Sequence, residues 1–175
     1  IPIYLNEVYG MDVKSIGLYG WVPYVGAMFG AWFGGLLAQN RLRAGWNANK
    51  TRKMIITLGC LIMLPALLAM ANPGGPVTAV IIMAVILFGF QTTIGNVQTL
   101  PSDLFSGKTV GTLAGFSGMT AKLTAAGLTY LIPWLTSGGN YTPAFIIGAV
   151  LALLTLASVW ILVPKIEPVK KNQLK

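Results

Sequence analysis

Long uncharged apolar runs alternate with short polar segments along this chain, and the lengths of the runs predict membrane-spanning helices. A span needs about 20 mostly apolar residues. Ser15–Asn40 carries no charged residue, and neither does Met54–Val80, which is interrupted at its end by Asn72-Pro73-Gly74-Gly75-Pro76. Those five residues are strong turn formers, so the pattern predicts one helix over 54–71 and another over 77–99. Pro143–Pro164 is a further uncharged run, and 109–135 is a comparable one with a single charge, Lys122. The first full span is expected over 15–38. Residues 1–6 read as the end of a helix whose beginning lies upstream, and a chain opening on Ile1 without a basic leader is expected to be a fragment.

The basic residues sort themselves against these spans. If successive connections alternate sides, ten of the twelve Lys and Arg fall on one side, in a basic loop at 39–53, a loop at 100–108 and a tail at 165–175. Only Lys14 falls on the other, and Lys122 lies within a span. Short loops rich in Lys and Arg stay in the cytoplasm, which places those three segments there and residues 7–14, 72–76 and 136–142 outside.

Composition narrows the function. Charged residues make up 9% of the chain and hydrophobic ones 55%, against about 25% charged in a soluble domain. The net charge of +8 is explained by topology and points to no nucleic acid. There is no His, Cys60 is the only cysteine, and the acids Glu7, Asp12, Asp103 and Glu167 are scattered. No catalytic set, metal-ligand cluster or cofactor motif can be assembled from them, so an enzyme is not expected.

Helical geometry then sorts the polar residues by face. Gly26, Gly30 and Gly34 stack at i, i+4 spacing and predict close helix packing. In the 77–99 helix, Gln91, Gly95 and Gln98 form one stripe, and Thr92, Asn96 and Thr99 form a second about 110° away. Each stripe could bond a neighbouring helix or line a polar cavity; one neighbour could satisfy only one of them. In the 109–135 helix, Gly111, Gly115, Gly118 and Lys122 fall within about 60° of one another. The lysine therefore shares a small-residue face expected to pack inward. A charge at mid-bilayer costs about 3 kcal/mol even on lenient scales. Lys122 stands 13 residues from either end of its span, where snorkelling is least effective. Snorkelling, a pairing with a polar neighbour and an anion site all remain open, the anion site favoured.

Pro101-Ser102-Asp103-Leu104-Phe105 followed by Val110-Gly111-Thr112-Leu113-Ala114-Gly115-Phe116-Ser117-Gly118 resembles the major facilitator superfamily, and within it the anion:cation symporter family of hexuronate, galactonate and phthalate permeases. Gly34-Gly35, Arg43, Gly45, Arg52 and Lys53 resemble that family's loop between helices eight and nine, and Pro2, Tyr4 and Leu5 the end of helix seven. The resemblance implies an all-α membrane protein, the C-terminal six-helix half, with helix seven truncated, of a twelve-helix transporter in a bacterial inner membrane. Its partners would be the N-terminal half of the same transporter, the lipid bilayer, a small organic anion and a coupling cation, proton or sodium. It departs from the family at Gln39, where an acid is usual, and at Lys122, whose position in galactonate-type relatives looks like an asparagine near the substrate, so that a lysine would change the charge of the site.

The reading is secondary transport of small organic anions such as sugar acids. Lys122 would attract the carboxylate, Gln91, Thr92, Asn96 and Gln98 would bond hydroxyls, and Tyr4 would cap the site from helix seven. No carboxylate lies inside a span, so a proton-coupling acid is expected in the missing half. The rival readings are a membrane scaffold or assembly subunit that uses its glycine stripes for oligomer packing, and an isolated channel-like or regulatory half.

Overall fold

The computed structural model describes residues 1–105, 108–164 and 166, and every regular element among them is a helix: α1 (Pro2–Tyr9), α2 (Val13–Tyr19), α3 (Val22–Arg43), α4 (Ala48–Ala69), α5 (Pro76–Val97), α6 (Leu100–Leu104), α7 (Lys108–Thr136) and α8 (Thr142–Ile161). Among the described residues four stretches are long and apolar enough to cross a membrane: Val13–Arg43, made of α2 and α3, Ala48–Ala69, Pro76–Leu104, made of α5 and α6, and Thr142–Ile161. A helix of 22 residues, such as α4, is about 33 Å long, slightly more than a hydrocarbon core of about 30 Å. At 29 residues α7 has the length, but Lys122 and its many Gly, Ser and Thr residues keep it out of that set.

Local chemistry sets the boundaries. The Asp12 carboxylate accepts from the Ser15 amide at 3.3 Å and starts α2; hydrogen bonds from the Ser15 side chain and amide hold its carboxyl below the usual carboxylate range. The stretch expected as one helix over 15–38 breaks at Gly20-Trp21, because Pro23, in the first turn of α3, brings no amide hydrogen. Asn47 caps α4 by accepting from the Lys50 amide at 2.8 Å. The turn expected at 72–76 separates α4 from α5, with Gly74 at φ 74°, a backbone region where a side chain is strained.

The basic segment at 39–53 is mostly helical. α3 runs on to Arg43 and α4 begins at Ala48, leaving only 44–47 as a turn. Cations in the last turn of α3 oppose the negative end of its dipole, which favours continuing the helix. In the same way α6 occupies 100–104 of the expected loop at 100–108. The tail at 165–175 lies outside the described residues, apart from Ile166.

α5 is the centre of the bundle, packed between α3 and α4, while α4 also carries α8. The α3–α5 seam is backbone on backbone. A Cβ on Gly26 or Gly30 would collide with the carbonyl oxygen of Ala84 or Phe88, and one on Gly34 would lie 3.1 Å from the Thr92 oxygen. Each step is one helical turn on both partners. Gly59 of α4 and Gly89 of α5 meet similarly, each carbonyl oxygen 2.7 Å from where the other's Cβ would be. Beyond the seams, Met63 and Leu67 of α4 pack on Ala149 and Ala152 of α8, and Tyr4 and Leu5 pack with Met70, Ala79, Val80 and Met83. Large apolar side chains such as Trp32, Phe29, Leu36, Leu61, Leu153 and Leu154 point outward, an arrangement suited to lipid and not to water.

α7 sits at the margin, packed chiefly on α8 and α6. Its small-residue stripe, expected to pack inward, meets none of the described residues: a Cβ added at Gly111, Gly115 or Gly118 would find nothing within 4 Å. The physical reason is that none of the described helices lies across that face.

Candidate functional site

The polar residues of α5 divide between two surroundings. The Thr92 side chain is fully buried; its hydroxyl lies 3.0 Å from the Gly30 carbonyl oxygen and 2.9 Å from that of Phe88. It locks α5 to α3 across the glycine seam and has no surface to offer a solute. Asn96 is also buried. Its amide nitrogen donates to the Thr92 carbonyl at 3.0 Å, and its oxygen accepts from Arg52 Nη1 at 2.9 Å. One stripe is thus consumed by internal bonds.

The other stripe is open. Gln91, Gly95 and Gln98 line a cleft of about 640 Å³ between α3 and α5, together with Gln39 and Gly35 of α3, Thr99, an edge of Asn96 and Arg52 of α4. The cleft has uncharged amide donors and acceptors along its wall and one guanidinium at its base. That set can bond hydroxyls, and the charge of the guanidinium is matched by Asp103.

Arg52 does more than line the cleft. Its Nε donates to Asp103 Oδ2 at 2.8 Å, the side chains being 12% and 20% exposed. With its second bond to Asn96, Arg52 clamps the start of α4 to the end of α5 and to α6. Sequence reading placed Arg52 and Asp103 on the same side of the membrane without pairing them. The available signal was that Asp103 is one of only two acids among ten cations there. Asp103→Ala leaves a partly buried guanidinium with one partner, and hydrogen bonds to charged groups contribute about 1.5–3 kcal/mol. Thermal unfolding in detergent is expected to show a loss of that size. An Arg52→Ala/Asp103→Ala double variant should lose less than the sum of the singles; additive losses would mean the pair is not coupled.

The remaining expected site residues lie elsewhere. Tyr4 is 7% exposed, its ring edge-on to Tyr9, Tyr141 and Phe145 with centroids at 5.9, 5.0 and 5.7 Å. It borders a separate cavity of about 650 Å³ with Ile132, Pro133 and Thr136 of α7, near the turn from α7 to α8. There the Tyr141 hydroxyl donates to the Glu7 carboxylate, a bond that raises the phenol's pKa above its ordinary value. Lys122 is exposed on α7 and lines neither space. Among the described residues the only salt bridge is Arg52–Asp103, so no carboxylate there neutralises Lys122. The structure therefore brings Gln91, Asn96 and Gln98 to one cleft, puts Thr92 behind its wall, and leaves Tyr4 and Lys122 apart from it.

The sequence profile of the Major Facilitator Superfamily matches residues 1–129. The chain belongs to the major facilitator superfamily. It is 31% identical over 162 residues to the hexuronate transporter of Escherichia coli (strain K12), covering 91% of this chain and 37% of that protein. It is 28% identical to the "Probable sulfoacetate transporter SauU" of Cupriavidus necator, over 92% of this chain and 38% of the relative. Identity to the D-galactonate transporter of Escherichia coli O6:H1 is 24%, over 96% and 39%. The chain spans less than two fifths of the length of these relatives. All three are named as transporters and none as an enzyme. Superfamily membership and the outward-facing apolar side chains together make this an integral membrane chain.

Proposed function

We propose that this chain is the C-terminal part, from the end of helix seven through helix twelve, of a secondary transporter of small organic anions, with sugar acids such as hexuronates as substrates. The observation that carries the reading is the cleft on α5: a row of neutral amides, Gln39, Gln91 and Gln98, ending on a guanidinium, in a chain whose relatives are named for hexuronate, galactonate and sulfoacetate transport. Amides bond sugar hydroxyls without repelling an anion, and transporters of this superfamily hold substrate near the midplane between two halves. Lys122 supports the reading from a second helix. Its glycine face is open in this chain, and the other half would close it and turn the ammonium toward the shared cavity. On this reading α1 is the end of one span, and α2 with α3, α4, α5, α7 and α8 are five more, with the turn at 44–47 and α6 on the cytoplasmic side.

Ion coupling deepens the proposal. Among the described residues the carboxylates Glu7, Asp12 and Asp103 all stand at or beyond helix ends. A proton-coupling acid that changes charge inside the membrane would come from the other half, and a sodium site would need carbonyls or carboxylates from it.

The test is uptake of radiolabelled galacturonate and glucuronate into proteoliposomes of the full-length gene product. Saturable uptake, inhibited by other sugar acids and not by the neutral sugar, is expected. Collapsing the proton or sodium gradient separately identifies the coupling ion. Absence of uptake with either gradient, for every organic acid that stabilises the protein against heat, would leave the scaffold reading in its place.

A further inference from the structure

On the outer side of the bundle, away from the cleft, α3, α4 and α8 enclose a groove of about 860 Å³ whose chemistry changes along its length. At the basic end its rim is Arg41, Lys50 and Lys53; below them the walls are Phe33, Leu37, Leu58 and Leu61. From Lys53 to Leu61 is two turns of α4, about 12 Å of apolar trough running toward the middle of the membrane. Trp160 of α8 stands between the two zones, its indole nitrogen donating to Thr57 Oγ1 at 3.2 Å.

The three cations are held where they are by groups that carry no negative charge. Trp46 lies between two of them, with the Arg41 guanidinium 4.8 Å and the Lys50 ammonium 4.3 Å from its ring centroid. Lys53 is 7% exposed. Its ammonium donates to the Pro164 carbonyl at 3.0 Å and lies 4.9 Å from the Trp160 centroid. Among the described residues no carboxylate pairs with any of the three. Like charges collected around indole faces, one of them buried, are stabilised when an anion joins them.

We infer that this groove holds one anionic phospholipid of the leaflet this end of the bundle reaches, its phosphate between Arg41, Lys50 and Lys53 and one acyl chain along the α3–α4 trough. Charge complementarity selects an anion, and the dry trough beneath selects one with a hydrocarbon tail. Basic pockets between spanning helices at a membrane face are suited to such headgroups, and paired Trp residues belong at that depth. The inference requires only that the helices span a membrane; it is independent of which solute is transported.

The full-length gene product, delipidated in a neutral detergent, is titrated with phosphatidylglycerol, with phosphatidylcholine and with inorganic phosphate. Bound lipid is counted by native mass spectrometry, and melting is followed alongside. Phosphatidylglycerol is expected to bind with one retained molecule and to raise the melting temperature, with little effect from the other two. An R41Q/K50Q double variant removes two exposed charges and should bind phosphatidylglycerol about 25-fold more weakly, on the order of fivefold per cation. R43Q, which alters an exposed arginine outside the groove, should bind as the unaltered protein does. Equal retention of phosphatidylcholine overturns the inference. So does stabilisation by inorganic phosphate equal to that by the lipid, which would mark a site for free anions. Unchanged binding by R41Q/K50Q, or a loss matched by R43Q, overturns it as well. Melting of the variants without lipid separates weak binding from misfolding.

Discussion

Lys122→Ala is expected to raise KM for hexuronate uptake roughly 10- to 100-fold, the loss of one charge-assisted hydrogen bond of about 1.5–3 kcal/mol. The ammonium is exposed in this chain and unmatched by a carboxylate among the described residues, so removing it should leave the melting temperature of the full-length protein nearly unchanged. That separates a binding role from a structural one: a lysine paired with an acid of the other half would give a destabilised variant on truncation. Lys122→Arg should retain part of the affinity because it keeps the charge and changes the geometry. Transport of a neutral sugar, where measurable, should not respond. Uptake by Lys122→Ala with unaltered rate and KM would remove Lys122 from the site and weaken the anion assignment with it.

Gly30→Val is expected to be the most damaging single change in the bundle. At Gly30 the α3 backbone touches the Phe88 carbonyl, and its own carbonyl lies 3.0 Å from the Thr92 hydroxyl. A branched side chain must push α3 and α5 apart along three consecutive turns and break that bond. Overpacking usually costs about 1–3 kcal/mol, and this site belongs at or above the upper end because backbone cannot rotate out of the way. The expected result is a large drop in melting temperature or no recoverable folded protein. Gly95→Val on α5, where an added Cβ meets nothing within 4 Å, is the control for stability. Equal melting of the two variants would mean that the seam is not close-packed.

The two glycine stripes show what can be read in the residues and what cannot. Spacing alone identified Gly26, Gly30 and Gly34 as a contact face, and that face is the α3–α5 seam. The same spacing identified Gly111, Gly115 and Gly118, which meet no helix here. Periodicity reports that a face is small; which helix covers it depends on tertiary arrangement. The stripes on α5 make the same point. Both were legible, but their division into a bonded set, Thr92 and Asn96, and an open set, Gln91 and Gln98, needed the direction of each neighbour. Arg52–Asp103 escaped because an ion pair spanning 51 residues leaves no local mark. Tyr4 was assigned by likeness to helix seven; in the structure its ring is buried in an aromatic cluster with Tyr9, Tyr141 and Phe145.

The seam between α3 and α5 has a further consequence for how the protein is made. Its hydrogen bond joins residues 62 positions apart, with the whole of α4 synthesised between them. At about 5–20 residues per second, Gly30 is extruded roughly 3–12 s before its partner Thr92. During that interval the bare glycine groove of α3 lies against lipid or the insertion machinery, its closest packing surface not yet in existence. A nascent chain stalled between residues 45 and 75 should therefore be recognisable to membrane quality control by α3 alone.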